Sequence, residues 1–194
     1  MIGSIYNVDV HPSWLELVPI KKAEGYKCKN EDIEEYLHRI GHGFKNIPES
    51  VLRQWLYLHT INPDMINNYG WIDYHKATFV EMLWTDEQIS QIQVFSRYRP
   101  YVESRSKIEQ LSDFMCIRKD KDYWAKYGTW RIPIVVLKTV SIYGKPNRSE
   151  LNKPYQLIEG HSRIGYFRAF CRFREEYIKN EKLHKIYLMH TNQT

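Results

Sequence analysis

Residues 159–163 of this chain, with the sequence Glu-Gly-His-Ser-Arg, combine side chains that suit a phosphate-binding turn. Arg163 can donate paired hydrogen bonds to phosphate oxygens, and Ser162 can donate its hydroxyl or cap a helix. His161 can donate to a phosphate or transfer a proton near neutral pH. Gly160 lets the backbone approach a ligand closely because it has no Cβ. These residue types predict an anion site, and an ordinary capped turn is the alternative.

The flanking segments predict that this turn joins a strand to a helix. The continuous apolar run at 132–137 is typical of a buried strand, and residues 155–158 predict a second short strand. After the turn, apolar residues recur at helical spacing, at Ile164, Phe167, Cys171 and Ile178. The start of a helix presents backbone N–H groups and the positive end of the helix dipole, which together bind anions.

This arrangement resembles the ParB/sulfiredoxin-like fold. The family places a Pro-Ile-x-Val strand, here Pro133-Ile134-Val135-Val136, before a second strand that leads into a glycine turn and a helix. The turn reads Gly-Glu-Arg-Arg in ParB partition proteins, Gly-Cys-His-Arg in sulfiredoxins, and Asp-Gly-His-Thr-Arg in free-serine kinases and many ParB-like proteins. The last form is the most similar to this turn, with Glu159 for Asp and Ser162 for Thr. The resemblance covers the chain from about Gly128 onward.

The resemblance implies an α/β (α+β) fold with a mixed sheet and flanking helices. Residues 127–194 are expected to form the nucleotide-phosphate-binding core, and 1–126 an accessory region that is mostly helical with short strands, the two making one compact unit. The resemblance also implies a bacterial protein that binds ATP, ADP or CTP together with Mg²⁺. The cofactor-binding residues would be those of the turn itself: Glu159, Gly160, His161, Ser162 and Arg163.

For catalysis, the resemblance to the serine kinases implies a carboxylate elsewhere in the chain. Glu103, which lies beside Arg97, Arg99 and Arg105, is our candidate for it, and His161 is the candidate for proton transfer. The reaction would be phosphoryl transfer or nucleotide hydrolysis. The alternative is a non-catalytic module that binds nucleic acid or a protein, and a small ParB-like nuclease is a third hypothesis that rests on analogy alone.

Two departures from the family narrow the expected activity. His161 stands where sulfiredoxins have their cysteine, which argues against sulfinic-acid reduction by that nucleophile. Ser162 replaces the middle arginine of ParB, and the residues after the motif predict no helix-turn-helix or dimerisation domain. We therefore do not expect a chromosome-partitioning clamp.

The composition is mildly basic and rich in aromatic residues. The 194 residues include 28 Lys and Arg against 23 Asp and Glu, a net charge of +5, and 14% are aromatic. Because the acids are spread along the chain, we expect at most weak, salt-sensitive nucleic-acid binding. Trp55, Trp71 and Trp84 fall in apolar patterns that are typical of a core. No apolar run reaches the ~18–20 residues of a membrane span, so no membrane partner is predicted.

The cysteines and histidines predict neither a metal site nor a disulfide framework. Cys28, Cys116 and Cys171 lie far apart, without a CxxC pair. The first ten residues lack the basic start and apolar core of a signal peptide, so we expect a cytoplasmic protein. His38 and His42 have the i,i+4 spacing of a helical metal site, but the intervening glycine predicts the end of that helix.

In the accessory region, residues 1–126, the spacing of apolar and charged residues predicts the secondary structure. Residues 14–20 predict a short strand, and residues 48–60 and 107–117 predict helices. The mixed charges at 119–122 favour a turn, and residues 79–84 predict a strand.

Overall fold

The computed structural model of the chain describes residues 9–24, 27–140, 142, 149–173 and 183–191. By their contacts, the described residues form two compact units. One unit draws on the described residues within 1–79, 142–150 and 190–194, and the other on those within 80–141 and 151–189. Ile178, assigned above to a helix, lies outside the described residues. The division at residue 126 stays a prediction.

The first unit is mostly helical where it is described. Its elements in chain order are α1 (Pro12–Glu16), β1 (Lys21–Glu24), β2 (Lys27–Asn30), α2 (Ile33–Gly41), α3 (Glu49–Val51), a π-helical stretch (Leu52–Leu56), α4 (Tyr57–His59) and α5 (Pro63–Tyr69). β1 and β2 pair antiparallel as a separate two-stranded sheet. The helix expected over 48–60 is present as α3, the π-helical stretch and α4.

The strand expected within 14–20 is wrong, because α1 occupies the start of that segment. The His11 side chain accepts a hydrogen bond from the Ser13 N–H at the N-cap, and Pro12 fits the first turn of the helix. Trp14 is consequently directed into the core, where its ring lies 6.3 Å from that of Trp55 and 5.4 Å from that of Tyr74. The predicted burial of Trp55 is confirmed.

A five-stranded mixed sheet organises the rest of the chain. Its strands and the associated helices are β3 (Thr78–Trp84), α6 (Asp86–Ser90), β4 (Ile92–Gln93), a 3-10 turn (Ser96–Tyr98), α7 (Arg99–Ser106), a second 3-10 turn (Leu111–Asp113), α8 (Arg118–Tyr127), β5 (Ile134–Lys138), β6 (Tyr155–Glu159), α9 (His161–Phe173) and β7 (His184–His190). The strand order is β3-β7-β5-β6-β4. β5 runs antiparallel to β6 and parallel to β7, and β4 runs parallel to β6. The predicted α+β class, with a mixed sheet and flanking helices, is confirmed.

The prediction for the segment between β4 and β5 is wrong in two places. No helix covers 107–117; the i,i+3 spacing of Leu111 and Phe114, both buried, belongs to a 3-10 turn instead. The turn expected at 119–122 lies inside α8, where Arg118 and Asp122 form an i,i+4 ion pair at 4.0 Å. The helix that precedes Lys107 is α7, which has Pro100 in its first turn.

The buried side of α9 packs into the core of the second unit. Ile164, Phe167 and Phe170 face a cluster that includes Ile134 and Leu157 of the two central strands. Strand β5 is fully buried over its first four residues, as a continuous apolar run predicts. No helix among the described residues combines the length and apolar character needed to cross a bilayer.

Candidate functional site

Gly160 alone connects β6, which ends at Glu159, to α9, which begins at His161. Its φ is +111°, in the region that favours glycine. A Cβ at this position would lie 2.4 Å from Cγ2 of Ile134 on β5. The first hydrogen bond of the helix runs from the Ile164 N–H to the Gly160 carbonyl at 3.0 Å. The turn therefore holds the positive end of the α9 dipole against the central sheet.

Arg163 is directed into the protein by its hydrogen bonds. Its Nη1 donates to the carbonyl of Ile132 at 2.8 Å and to that of Pro133 at 3.3 Å, just before β5. Its Nη2 donates to Oε1 of Glu159 at 3.3 Å. Burial lowers the pKa of Arg163, against the raising effect of the Glu159 carboxylate, and the guanidinium stays protonated. These bonds join the start of β5 to the turn, so Arg163 and Glu159 support its shape.

The side chains of Ser162 and His161 lie against two tyrosines, one just before α7 and one in its first turn. The Ser162 hydroxyl lies 2.7 Å from the hydroxyl of Tyr101, and the pair is exposed. The half-buried ring of His161 lies 4.7 Å from the ring of Tyr98, centroid to centroid. Two phenol rings thus stand beside the first residues of α9.

Arg105 places a positive charge next to this group of side chains. Its guanidinium carbon lies 4.5 Å from the centre of the Tyr101 ring, which is a cation–π contact. Its Nη1 donates to Ser104 at 3.2 Å. Among the described residues, Arg105 has no carboxylate partner, and its buried Nε has no hydrogen-bond acceptor. The Tyr101 ring therefore has this charge over its face and Ser162 at its hydroxyl.

The structure places Glu103 on α7, close enough to Arg168 of α9 to act on its charge. Glu103 is exposed on α7. Burial lowers the pKa of Arg168 overall, although the Glu103 carboxylate acts to raise it. Arg168 lies about two turns along α9 from His161. Of the other arginines near Glu103 in sequence, Arg99 donates to the Val94 carbonyl at 3.2 Å.

The sequence marks Arg105 only as one of the arginines beside Glu103, and it does not mark Tyr101 as a candidate site residue. Both lie on α7 at i and i+4, a spacing that places two side chains on one helix face. A helix predicted at 99–106 would have revealed this pair. The signal was present in Pro100, which favours the first turn of a helix.

The described residues hold no group of three or more His, Cys, Asp and Glu side chains that could bind a metal ion. His38 and His42 stack edge to face, with ring centres 5.9 Å apart, and α2 ends between them at Gly41, as expected. At the turn, the Glu159 carboxylate is engaged by Arg163. The turn therefore offers no carboxylate outside an ion pair to a protein-held Mg²⁺ site.

Comparisons with known protein families, with curated proteins and with solved structures find no match to this chain. The fold and the side chains at the turn are therefore the basis for a functional proposal.

Proposed function

We propose that the turn between β6 and α9 binds the phosphate groups of a nucleotide, with Arg105 supplying the positive charge. The observation that carries this proposal is the Arg105 guanidinium, which has no acidic partner among the described residues. It stacks on Tyr101, whose hydroxyl reaches Ser162 in the first turn of α9. The first turn of α9 contains no acidic residue, so an anion there meets two positive groups, the N-terminal end of the helix dipole and the Arg105 guanidinium.

The two hydroxyl groups suit the same ligand. One of Ser162 and Tyr101 donates in their shared hydrogen bond, and the hydroxyl that accepts keeps its own proton for a phosphate oxygen. His161 is a further donor at the start of the helix. The one carboxylate of the turn, Glu159, is balanced by Arg163 and so repels a phosphate less than a lone carboxylate would.

A nucleotide fits this surface better than inorganic phosphate does. Tyr98 and Tyr101 present aromatic rings close to the anion site, and aromatic rings stack on nucleobases. The resemblance of residues 159–163 to the ParB-like turn points to the same ligand class. Transfer or hydrolysis of a phosphoryl group, with His161 and Glu103 as catalytic residues, stays a prediction.

Isothermal titration calorimetry with ATP, ADP, CTP and GTP, each with and without Mg²⁺, tests the proposal. Inorganic phosphate serves as the ligand without a base. Charge-assisted hydrogen bonds contribute about 1.5–3 kcal/mol, so Arg105→Gln should weaken nucleotide binding by roughly 10- to 100-fold. The matched control is Arg118→Gln, since Arg118 is 94% exposed on α8. Circular dichroism verifies that both variants fold.

Three results would contradict the proposal. These are no heat from any nucleotide, equal affinity for wild type and Arg105→Gln, or an equal loss in Arg118→Gln. Gel shifts with single-stranded DNA and RNA at several salt concentrations address the nucleic-acid alternative. Retention of a nucleic acid without affinity for mononucleotides would favour that alternative.

A further inference from the structure

The two edge strands of the mixed sheet differ in length and exposure. β4 forms one edge with only two residues, which is a common protection against unwanted strand pairing. β3 forms the other edge with seven residues, and in the described part of the chain it neighbours β7 alone. As far as the described residues go, its outer backbone groups therefore have no strand partner and can pair with another strand.

Three apolar side chains of β3 are exposed, and they lie on both faces of the strand. Val80 is 46% exposed, Met82 37% and Leu83 57%. Because side chains alternate along a strand, Val80 and Met82 lie on one face and Leu83 on the other. A long, apolar, exposed edge is rare in a monomer, since it favours association through strand addition.

We propose that β3 pairs antiparallel with β3 of a second copy of this chain, which joins the two sheets across a two-fold axis. The sequence of the strand is self-complementary in that arrangement. With the axis at Glu81, Val80 of each copy lies opposite Met82 of the other, and Phe79 lies opposite Leu83. Each copy presents the same surface, as a two-fold dimer requires.

The charges on the strand fit the same arrangement. The axis brings the two Glu81 carboxylates together, which alone would oppose pairing. Each carboxylate is already bound by Lys185 of the adjacent β7, with Oε1 and Nζ 2.8 Å apart. At the axis, the dimer would therefore contain two carboxylates and two ammonium groups, whose charges cancel. A peptide strand without such a pair of opposite charges would not provide this balance of charge.

The expected dimer is weak. Stable interfaces use about 20–30 residues on each side, whereas β3 supplies seven. Dissociation on dilution is therefore part of the proposal. Because β3 has one free edge and β4 is short, association should stop at two copies.

Sedimentation velocity over a concentration series tests this inference with the full chain. Wild type should shift from monomer to dimer as concentration rises. Met82→Lys should raise the dissociation constant at least about tenfold, because it places an ammonium against Val80 of the other copy. Met115→Lys, at a residue 74% exposed outside the sheet, is the matched control and should leave the dimer unchanged.

A charge exchange distinguishes this interface from a general loss of association. Glu81→Lys alone should abolish the dimer, since four ammonium groups would meet at the axis. Adding Lys185→Glu restores two charges of each sign and should restore the dimer. A monomer at every concentration, assemblies larger than two, a dimer that resists Met82→Lys, or no recovery in the double variant would overturn the proposal.

Discussion

Two arginines close to the turn between β6 and α9 serve different purposes. Arg163, which the motif marks as the phosphate ligand, donates to two backbone carbonyls and to Glu159. Arg105, which no motif marks, keeps its charge beside Ser162 and Tyr101. A buried guanidinium costs free energy unless its donors are satisfied, and Arg163 recovers that cost through these bonds. The residue type was thus predictable from the motif, but its partners were not.

At the residue scale, Gly160→Ala should destabilise the protein by two separate effects. A positive φ costs a non-glycine residue about 1–3 kcal/mol, and the new Cβ would overlap Ile134. Urea denaturation should show a loss of at least about 2 kcal/mol, since overpacking alone costs about 1–3 kcal/mol. The double variant Gly160→Ala with Ile134→Ala removes the overlap but not the backbone strain.

A double-mutant cycle separates these two effects. Ile134→Ala alone costs about 2–5 kcal/mol as a core truncation. If the overlap is real, the double variant loses less than the sum of the single variants. Strict additivity would show that Ile134 does not contact the added methyl group.

At the scale of elements, the packing of α7 on α9 sets the position of Arg105. A Cβ at Gly165 of α9 would lie 2.4 Å from the Arg105 Cβ and 2.8 Å from the Val102 carbonyl oxygen. Only glycine allows the helices to approach this closely. Further along, Arg172 donates to the Ile108 carbonyl at 2.8 Å, so contacts continue over the length of α9. The site residues on α7 therefore depend on a small residue of α9.

Gly165→Ala should destabilise the protein, although alanine favours a helix by about 1 kcal/mol over glycine. The overlap with α7 costs about 1–3 kcal/mol and outweighs that gain. Gly41→Ala is the matched control, since nothing lies within 4 Å of a Cβ at that last residue of α2. Chemical denaturation should therefore give a lower midpoint for Gly165→Ala and an equal or higher one for Gly41→Ala. A stabilised Gly165→Ala variant would show that the two helices are farther apart.

At the scale of the whole molecule, buried and exposed ion pairs link stability to pH. Glu31 is nearly inaccessible and accepts hydrogen bonds from Arg39 and from the Ile20 N–H. Burial would raise the pKa of Glu31, but these hydrogen bonds lower it overall. The pKa of Asp73 is also lowered, since bonds from Lys76 and the His75 N–H outweigh its desolvation. A lowered pKa in the folded state stabilises the protein at neutral pH, where these groups are ionised in both states.

The contribution of the ionised Glu31 side chain to the stability of the protein should consequently disappear in acid. It is complete above the ordinary glutamate pKa and is lost as pH falls from about 5 through the lowered value. Glu31→Gln should cost about 3 kcal/mol at pH 7, because it leaves Arg39 without its carboxylate. The stability difference from wild type should narrow steadily below pH 5.

Urea denaturation followed by tryptophan fluorescence at pH 7, 5 and 4 measures this narrowing. Glu49→Gln, which removes an exposed i,i+4 partner of Arg53, is the control and should cost less than about 1 kcal/mol at every pH. A stability difference for Glu31→Gln that stays constant between pH 7 and pH 4 would contradict the linkage.

The central strands and α9 were predictable because their signals are local. A buried strand is a continuous apolar run, as at β5, and the glycine before α9 separates two different periodicities. Between β4 and β5 the local signals conflict. There, apolar residues at i,i+3 suit a 3-10 turn as well as a helix, and mixed charges suit a helix surface as well as a turn.

The sequence by itself determined the class of the fold, the strand–glycine–helix order and the residue types at the turn, since each depends on near neighbours in the chain. Only the tertiary structure decided which of the two arginines near the turn is held by other groups of the protein. Arg163 and Arg105 have the same side chain, and the carbonyls and carboxylate that engage one of them are brought close by folding. It also decided that β3 lies at an edge, because strand order depends on pairing between segments far apart in sequence.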